Sequence, residues 1–166
     1  MAGMKRLLIV WYSYTGGSLQ MAEAAAEAVR GEKEVDLRIM SARDAGPDDV
    51  LAADAFLFVF PENLAAIAGE MKAFFDRSYY PVLGRIEGRP YALMVCAGSD
   101  GSNAVRQAAR IATGWRLRQV AEPIIVITHA QTPEAILAAK TIPPAQLARC
   151  RELGATMAAG LAMGVF

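Results

Sequence analysis

The chain of 166 residues is poor in the residues that build metal centres and covalent frameworks. It has two cysteines, Cys96 and Cys150, with no metal-ligand spacing and no disulfide framework between them, as expected of a protein kept in a reducing cytoplasm. One histidine, His129, offers no cluster, so no metal site is expected. Charge of one sign is missing too. Lys+Arg is 17 and Asp+Glu is 17. A balanced chain lacks the basic excess that neutralises phosphates along a nucleic acid, and that partner class is excluded. It equally lacks the acidic excess of a protein that docks on basic partners. No apolar run reaches the roughly 18 to 20 residues of a membrane span. The nearest, Leu153 to Phe166, is uncharged but short and rich in Ala and Gly, and reads as a core-facing terminal helix. Lys5 and Arg6 precede an apolar run, Leu7 to Tyr12, but the run is short, stops at Ser13 and has no small-x-small cleavage site, so it reads as a strand and not a signal peptide.

What is present describes a globular α/β chain. The hydrophobic fraction is 54% and the mean hydropathy +0.25, too apolar for disorder. At about 150 residues per domain, residues 1–166 are expected to form a single domain. Short apolar runs alternate with segments of helical period, the pattern of a parallel sheet covered on both faces. Five strands are expected: Leu7–Tyr12, Val35–Met40 at an edge, Ala53–Phe60 closed by Pro61, Tyr91–Ala97 and Ile124–Thr128. Helices are expected from Ser18 to Arg30, through Ile67, Met71, Phe74, Phe75 and Ser78 on one face, after strand four through Val105 to Trp115, and from Pro143-Pro144 onward. About five helices then make three layers with the sheet between them.

Ligands of open α/β sheets bind beyond the carboxyl ends of the strands, at a switch in strand order. After strand one comes Ser13-Tyr14-Thr15-Gly16-Gly17-Ser18, directly ahead of a helix. Hydroxyls and glycines at a helix N-terminus form a receptor for a phosphate, because backbone N–H groups converge there and the helix dipole favours an anion. The plainer alternative is a glycine turn in which Ser18 only caps the helix. Other phosphate loops are absent. The G-x-x-x-x-G-K-S/T loop is missing, no lysine lies within residues 13–18, and G-x-G-x-x-G is missing as well. Tyr12-Ser13 and Phe60-Pro61 exclude a phosphoacceptor receiver, and Ser102 six positions after Cys96 excludes a small tyrosine-phosphatase loop. Such a loop suits a monophosphate that is held and never transferred.

The run Leu8 to Ser18 resembles the flavodoxin-like FMN proteins, whose phosphate loop reads S/T-x-T-G-x-S/T. Gly69-Glu70-Met71-Lys72-Ala73-Phe74-Phe75-Asp76-Arg77 is similar to the G-x-x-K-x-F-x-D-R stretch of their NAD(P)H-dependent FMN and quinone reductase branch. The resemblance implies a three-layer flavodoxin-like fold with a five-stranded parallel sheet in order 2-1-3-4-5. It implies FMN as cofactor, held at its phosphate by Ser13, Tyr14, Thr15, Gly16, Gly17 and Ser18. Pro61, Glu62, Asn63 and Leu64 would flank the ring, with Ala97, Gly98, Ser99, Asp100 and Gly101 covering its other side or polar edge. It further implies NAD(P)H as electron donor, a quinone, a flavin or a similar small molecule as acceptor, and no catalytic side chain beyond the flavin. A redox partner protein replaces the small acceptor if the chain is a flavodoxin-type carrier, and pairing of subunits as a homodimer is a further expectation of the branch. Two departures stand out. Gly17 occupies a position where many members have Asn, and the second loop lacks a stacking aromatic, which leaves Leu64, Tyr14 or Trp11 for ring contact.

Other residues have plainer readings beside the functional one. Gly98 to Asn103 could be a turn capping the next helix. His129 reads as a surface residue, Tyr79-Tyr80 as packing at a helix end, Cys96 as a small core residue, and Glu62 as a solvated acid or a group orienting the ligand.

Overall fold

A computed structural model describes residues 3–166; the first two residues of the expected domain lie outside the described residues. The first strand, β1 (Lys5–Trp11), lies between β2 (Val35–Ser41) and β3 (Ala55–Asn63), and β5 (Pro90–Ala97) follows β3 on the far side, all in parallel. Past β5 the last lane holds two pieces, β6 (Arg118–Gln119) and β7 (Ile124–Ile127), both parallel to β5. The lane breaks between them at a stretch that includes Pro123, which has no N–H for a ladder. A short β4 (Ala66–Ile67) returns antiparallel along the end of β3.

The five expected strands therefore lie in order 2-1-3-4-5, and the fold class is flavodoxin-like α/β. The sheet has seven strands, not five, because β4 and β6 are two-residue additions that no run of apolar residues announces. Pro61 does not close the third strand. It pairs with Cys96, and Glu62 and Asn63 then find partners in β4, so the lost donor interrupts nothing.

Alternation along the central strands builds two cores. Leu7, Ile9, Leu57, Val59 and Met94 face helices α1 (Gly17–Arg30) and α6 (Pro144–Ala162). Leu8, Val10, Phe56, Phe58, Phe60 and Val95 face α2 (Pro47–Ala52), α3 (Gly69–Val82) and α4 (Ser102–Gly114). On the second face Phe58 meets Phe75 edge-on at 5.0 Å, and Trp115 caps the cluster 5.4 Å from Phe75. On the first, α1 and α6 touch so closely that a Cβ on Gly154 would lie 2.3 Å from the Ala25 carbonyl oxygen. Met71, Phe74, Phe75 and Ser78 line the buried face of α3 as the period predicts, whereas Ile67 belongs to β4. A further short helix, α5 (Pro133–Leu137), buries none of its side chains, so it left no periodic signature to read.

β1, β3 and β5 run parallel, so their carboxyl ends lie at the same end of the sheet. That end of the sheet carries the loops in question.

Candidate functional site

A cleft of about 560 Å³ opens at the carboxyl ends of these strands, within the range that accommodates a small molecule or cofactor. Its floor is the turn from β1 into α1. Gly16 stands at φ 97°, a left-handed conformation that favours glycine, and its N–H donates to Ser13 Oγ at 3.0 Å. The turn aims the N-terminus of a 14-residue helix at the cleft. Ser13, Tyr14, Thr15, Gly17 and Ser18 line the cleft, and Gly16 serves behind them as the hinge of the turn.

Ser18 is the informative side chain. It is 2% exposed, lines the cleft, and its Oγ has no hydrogen-bond partner among the described residues. A buried hydroxyl without a partner costs about 1–3 kcal/mol. Ser18 does not cap α1, whose N-cap is Gly16 with no side-chain bond. The hydroxyl is therefore free to donate to an acceptor placed in the cleft, such as a phosphate oxygen.

The second wall is the β3–β4 hairpin. Pro61, Glu62, Asn63 and Leu64 line the cleft, as does Ala65. Leu64 and Ala65 turn the chain with φ of 52° and 60°, costing non-glycine residues roughly 1–2 kcal/mol each. The α4 helix braces this turn: Asn103 Nδ2 donates to the Ala65 carbonyl at 2.5 Å, and Gln107 Oε1 accepts the Ile67 N–H at 2.8 Å. Leu64 itself is fully exposed. Glu62 is not a solvated acid. Its carboxylate accepts the N–H groups of Gly101 at 2.9 Å and Ala104 at 3.1 Å, tying the second wall to the start of α4.

The third wall follows β5. Ala97, Gly98 and Ser99 line the cleft, but Asp100 and Gly101 do not. Asp100 turns its carboxylate onto the N–H of Ser102. Gly101 is buried at φ 84°, where a Cβ would lie 2.7 Å from Ile125 Cγ2, so its glycine serves close packing. Trp11 packs into the core beside α1, and the next residue, Tyr12, faces the cleft in its place. His129 is exposed and outside the lining, although its neighbours Thr128 and Ala130 belong to it. Tyr80 is exposed at the end of α3 beside the half-buried Tyr79, away from the lining.

Sequence reasoning missed one wall altogether. The segment after β7 comes back over the phosphate-type loop and brings Thr128, Gln131, Ile136 and Lys140 to the cleft. The Lys140 N–H donates to the Thr15 carbonyl at 2.9 Å and its ammonium to Thr15 Oγ1 at 3.2 Å. Cys96 lines the cleft below; burial pushes its thiol up to about 11, with the Lys140 charge pulling the other way. The departure at Gly17 has its cause here, because a Cβ there would stand 2.9 Å from Cys96 Sγ and 3.3 Å from Ile142 Cδ1. The one available signal was that Lys140 is the sole charge between Glu134 and Arg149.

Comparison with known proteins agrees with this geometry. A family model described as NADPH-dependent FMN reductase matches residues 12–132, which include the first three walls. A flavodoxin of Aquifex aeolicus (strain VF5) is 31% identical over 103 residues, 61% of this chain and 56% of that protein. An NAD(P)H dehydrogenase (quinone) of Acidithiobacillus ferrooxidans is 30% identical over 95 residues, 45% of this chain and 48% of that one. The chain thus spans about half the length of the curated relatives it matches. Among solved structures, a flavodoxin, WrbA-like protein from Agrobacterium tumefaciens superposes with a TM-score of 0.74 at 19% identity, covering 96% of this chain and 98% of that one, which shows the fold.

Proposed function

The chain belongs to the NADPH-dependent FMN reductase family, and from that premise we propose that it is an FMN-binding oxidoreductase passing electrons from NAD(P)H to a quinone, a flavin or a similar small acceptor. The observation that carries this reading is the Ser18 hydroxyl, buried without a partner at the N-terminus of α1 and facing the cleft. A terminal phosphate there meets the helix dipole, the backbone N–H groups of the turn and the hydroxyls of Ser13, Thr15 and Ser18. Pro61, Asn63 and Leu64 on one side and Ala97, Gly98 and Ser99 on the other are the residues that would hold the flavin ring. Glu62 fixes the distance between those two walls through its bonds to Gly101 and Ala104.

When bound, FMN would supply the chemistry, accepting a hydride equivalent and releasing electrons. The chain's own contribution is position. Leu64, Ala65 and Ile136 give the exposed rim of the cleft an apolar surface, and bonds from Asn103 and Gln107 brace the Leu64-Ala65 turn. We place the protein in the cytoplasm as a single domain, in keeping with two free, buried cysteines.

A flavodoxin-type electron carrier is the second reading, favoured by the likeness to the Aquifex flavodoxin. The balance of 17 basic and 17 acidic residues counts against it, since carriers dock through an excess of one charge. Steady-state assay of the FMN-loaded protein decides. An enzyme consumes NADH or NADPH continuously in the presence of a quinone or free flavin. A carrier shows no such turnover and takes up electrons in two resolved one-electron steps on chemical reduction. Absence of turnover with either nucleotide and every acceptor class refutes the enzymatic reading.

A further inference from the structure

The loop of residues 13–18 has hydroxyls and backbone N–H groups but no charge of its own. A phosphate monoester carries nearly two negative charges at neutral pH. The fold supplies a cation from elsewhere. Lys140 lies 125 residues from Thr15 in sequence, and its Nζ donates to Thr15 Oγ1 at 3.2 Å. Two further bonds fix that ammonium, to the carbonyl oxygens of Ile136 at 2.8 Å and Ala138 at 2.6 Å. Carbonyls orient the charge without neutralising it, and Lys140 takes part in no ion pair among the described residues.

The segment carrying Lys140 is itself locked to the loop. Gln20, one turn into α1, donates from Nε2 to the Gly16 carbonyl at 3.0 Å and the Lys140 carbonyl at 2.7 Å. Its Oε1 accepts the Ile142 N–H at 2.9 Å. One amide thus joins both sides of the clasp, and the Lys140 N–H on the Thr15 carbonyl closes it.

We propose that Lys140 is the counter-charge of the phosphate subsite, held in place by Gln20, and that it makes the cleft selective for a phosphorylated flavin over the unphosphorylated one. The inference rests on the reading that the cleft takes FMN. Two of the three ammonium donors are spent on main-chain carbonyls, and the third lies on the Thr15 hydroxyl in the wall of the cleft. Ser18 supplies the matching donor from the helix side. Together they set a cation and a free hydroxyl in one subsite, and a dianion suits that pair better than any neutral group.

The test is titration of FMN and, separately, riboflavin into wild-type protein, Lys140→Met and Lys140→Arg, read as quenching of flavin fluorescence. Methionine keeps the apolar stem, and arginine keeps the charge. The expected result is that K140M weakens FMN by about 10- to 100-fold, the worth of a positive charge held beside a partly desolvated phosphate, while riboflavin affinity is unchanged. K140R should retain most of the FMN affinity, and added salt should narrow the gap between wild type and K140M. Equal FMN affinity in wild type and K140M overturns the inference while leaving the flavin reading intact. A parallel loss of FMN and riboflavin also overturns it, because Lys140 would then only hold the segment in place. Wild-type protein that binds neither flavin removes the flavin reading and this inference with it.

Discussion

Replacing Ser18 by alanine should move stability and ligand affinity in opposite directions. The Ser18 hydroxyl is 2% exposed and makes no hydrogen bond among the described residues. Its removal relieves a desolvation cost of about 1–3 kcal/mol and replaces serine by the better helix former. Allowing for the small void left behind, S18A should gain about 1 kcal/mol, which for a chain of this length raises the melting temperature by about 2–4 °C. A hydroxyl that donates to a phosphate oxygen contributes about 1.5–3 kcal/mol, so FMN affinity should fall by about 10- to 100-fold. The assay is a pair of thermal melts, with and without saturating FMN, beside a fluorescence titration. A built-in control exists. Ser78 Oγ is the other buried hydroxyl without a partner among the described residues, and it sits on the buried face of α3 within the aromatic core. S78A should show a similar gain in stability with FMN affinity unchanged. A ligand-free S18A that is less stable than wild type, or one that binds FMN as well, refutes the reasoning.

Three further outcomes follow from the geometry. Glu62→Ala removes both acceptors at the start of α4, and should lower stability in urea by about 1–2 kcal/mol, with Glu62→Gln losing less because one acceptor oxygen remains. Gly17→Ala sets a Cβ 2.9 Å from Cys96 Sγ and should cost about 1–3 kcal/mol; in a Cys96→Ala background the same change should cost less, and a double-mutant cycle with no coupling contradicts the contact. The Cys96 and Cys150 thiols are pushed from 9.0 up to about 11, chiefly by burial. The folded state therefore keeps protons that the unfolded chain releases, so stability is full below pH 9 and falls as pH rises through 11. Urea midpoints measured across that window should decline, and a C96A/C150A variant should decline less.

Where a residue's role depends on its neighbours in sequence, that role was legible. Leu7 to Val10 and Phe56 to Phe60 read as strands because both faces are buried, and a continuous apolar run is what such a strand requires. The turn from β1 into α1 announced itself because the glycine, the hydroxyls and the helix start are adjacent in the chain. Other roles exist only after folding. Lys140 reaches Thr15 across 125 residues, and its one local sign, standing alone as a charge between Glu134 and Arg149, does not point to that loop. Glu62 looks like any loop acid until β5 and α4 bring the Gly101 and Ala104 N–H groups to it. Asp100 and Gly101 show the reverse. They lie in the right loop, but an Asx-type turn and close packing on Ile125 draw them away from the cleft. Pro61 misled because its missing donor matters only where a ladder bond is needed, and the hairpin with β4 takes over there.

The central claim is that the cleft at the ends of β1, β3 and β5 receives FMN through the turn at Ser13–Ser18. Titrating purified, ligand-free protein with FMN and following flavin fluorescence and visible absorption tests it most directly. Saturation at one FMN per chain, with a perturbed absorption band and weaker binding in S18A, is the predicted result. An FMN spectrum and fluorescence that stay those of free flavin at every protein concentration would contradict it.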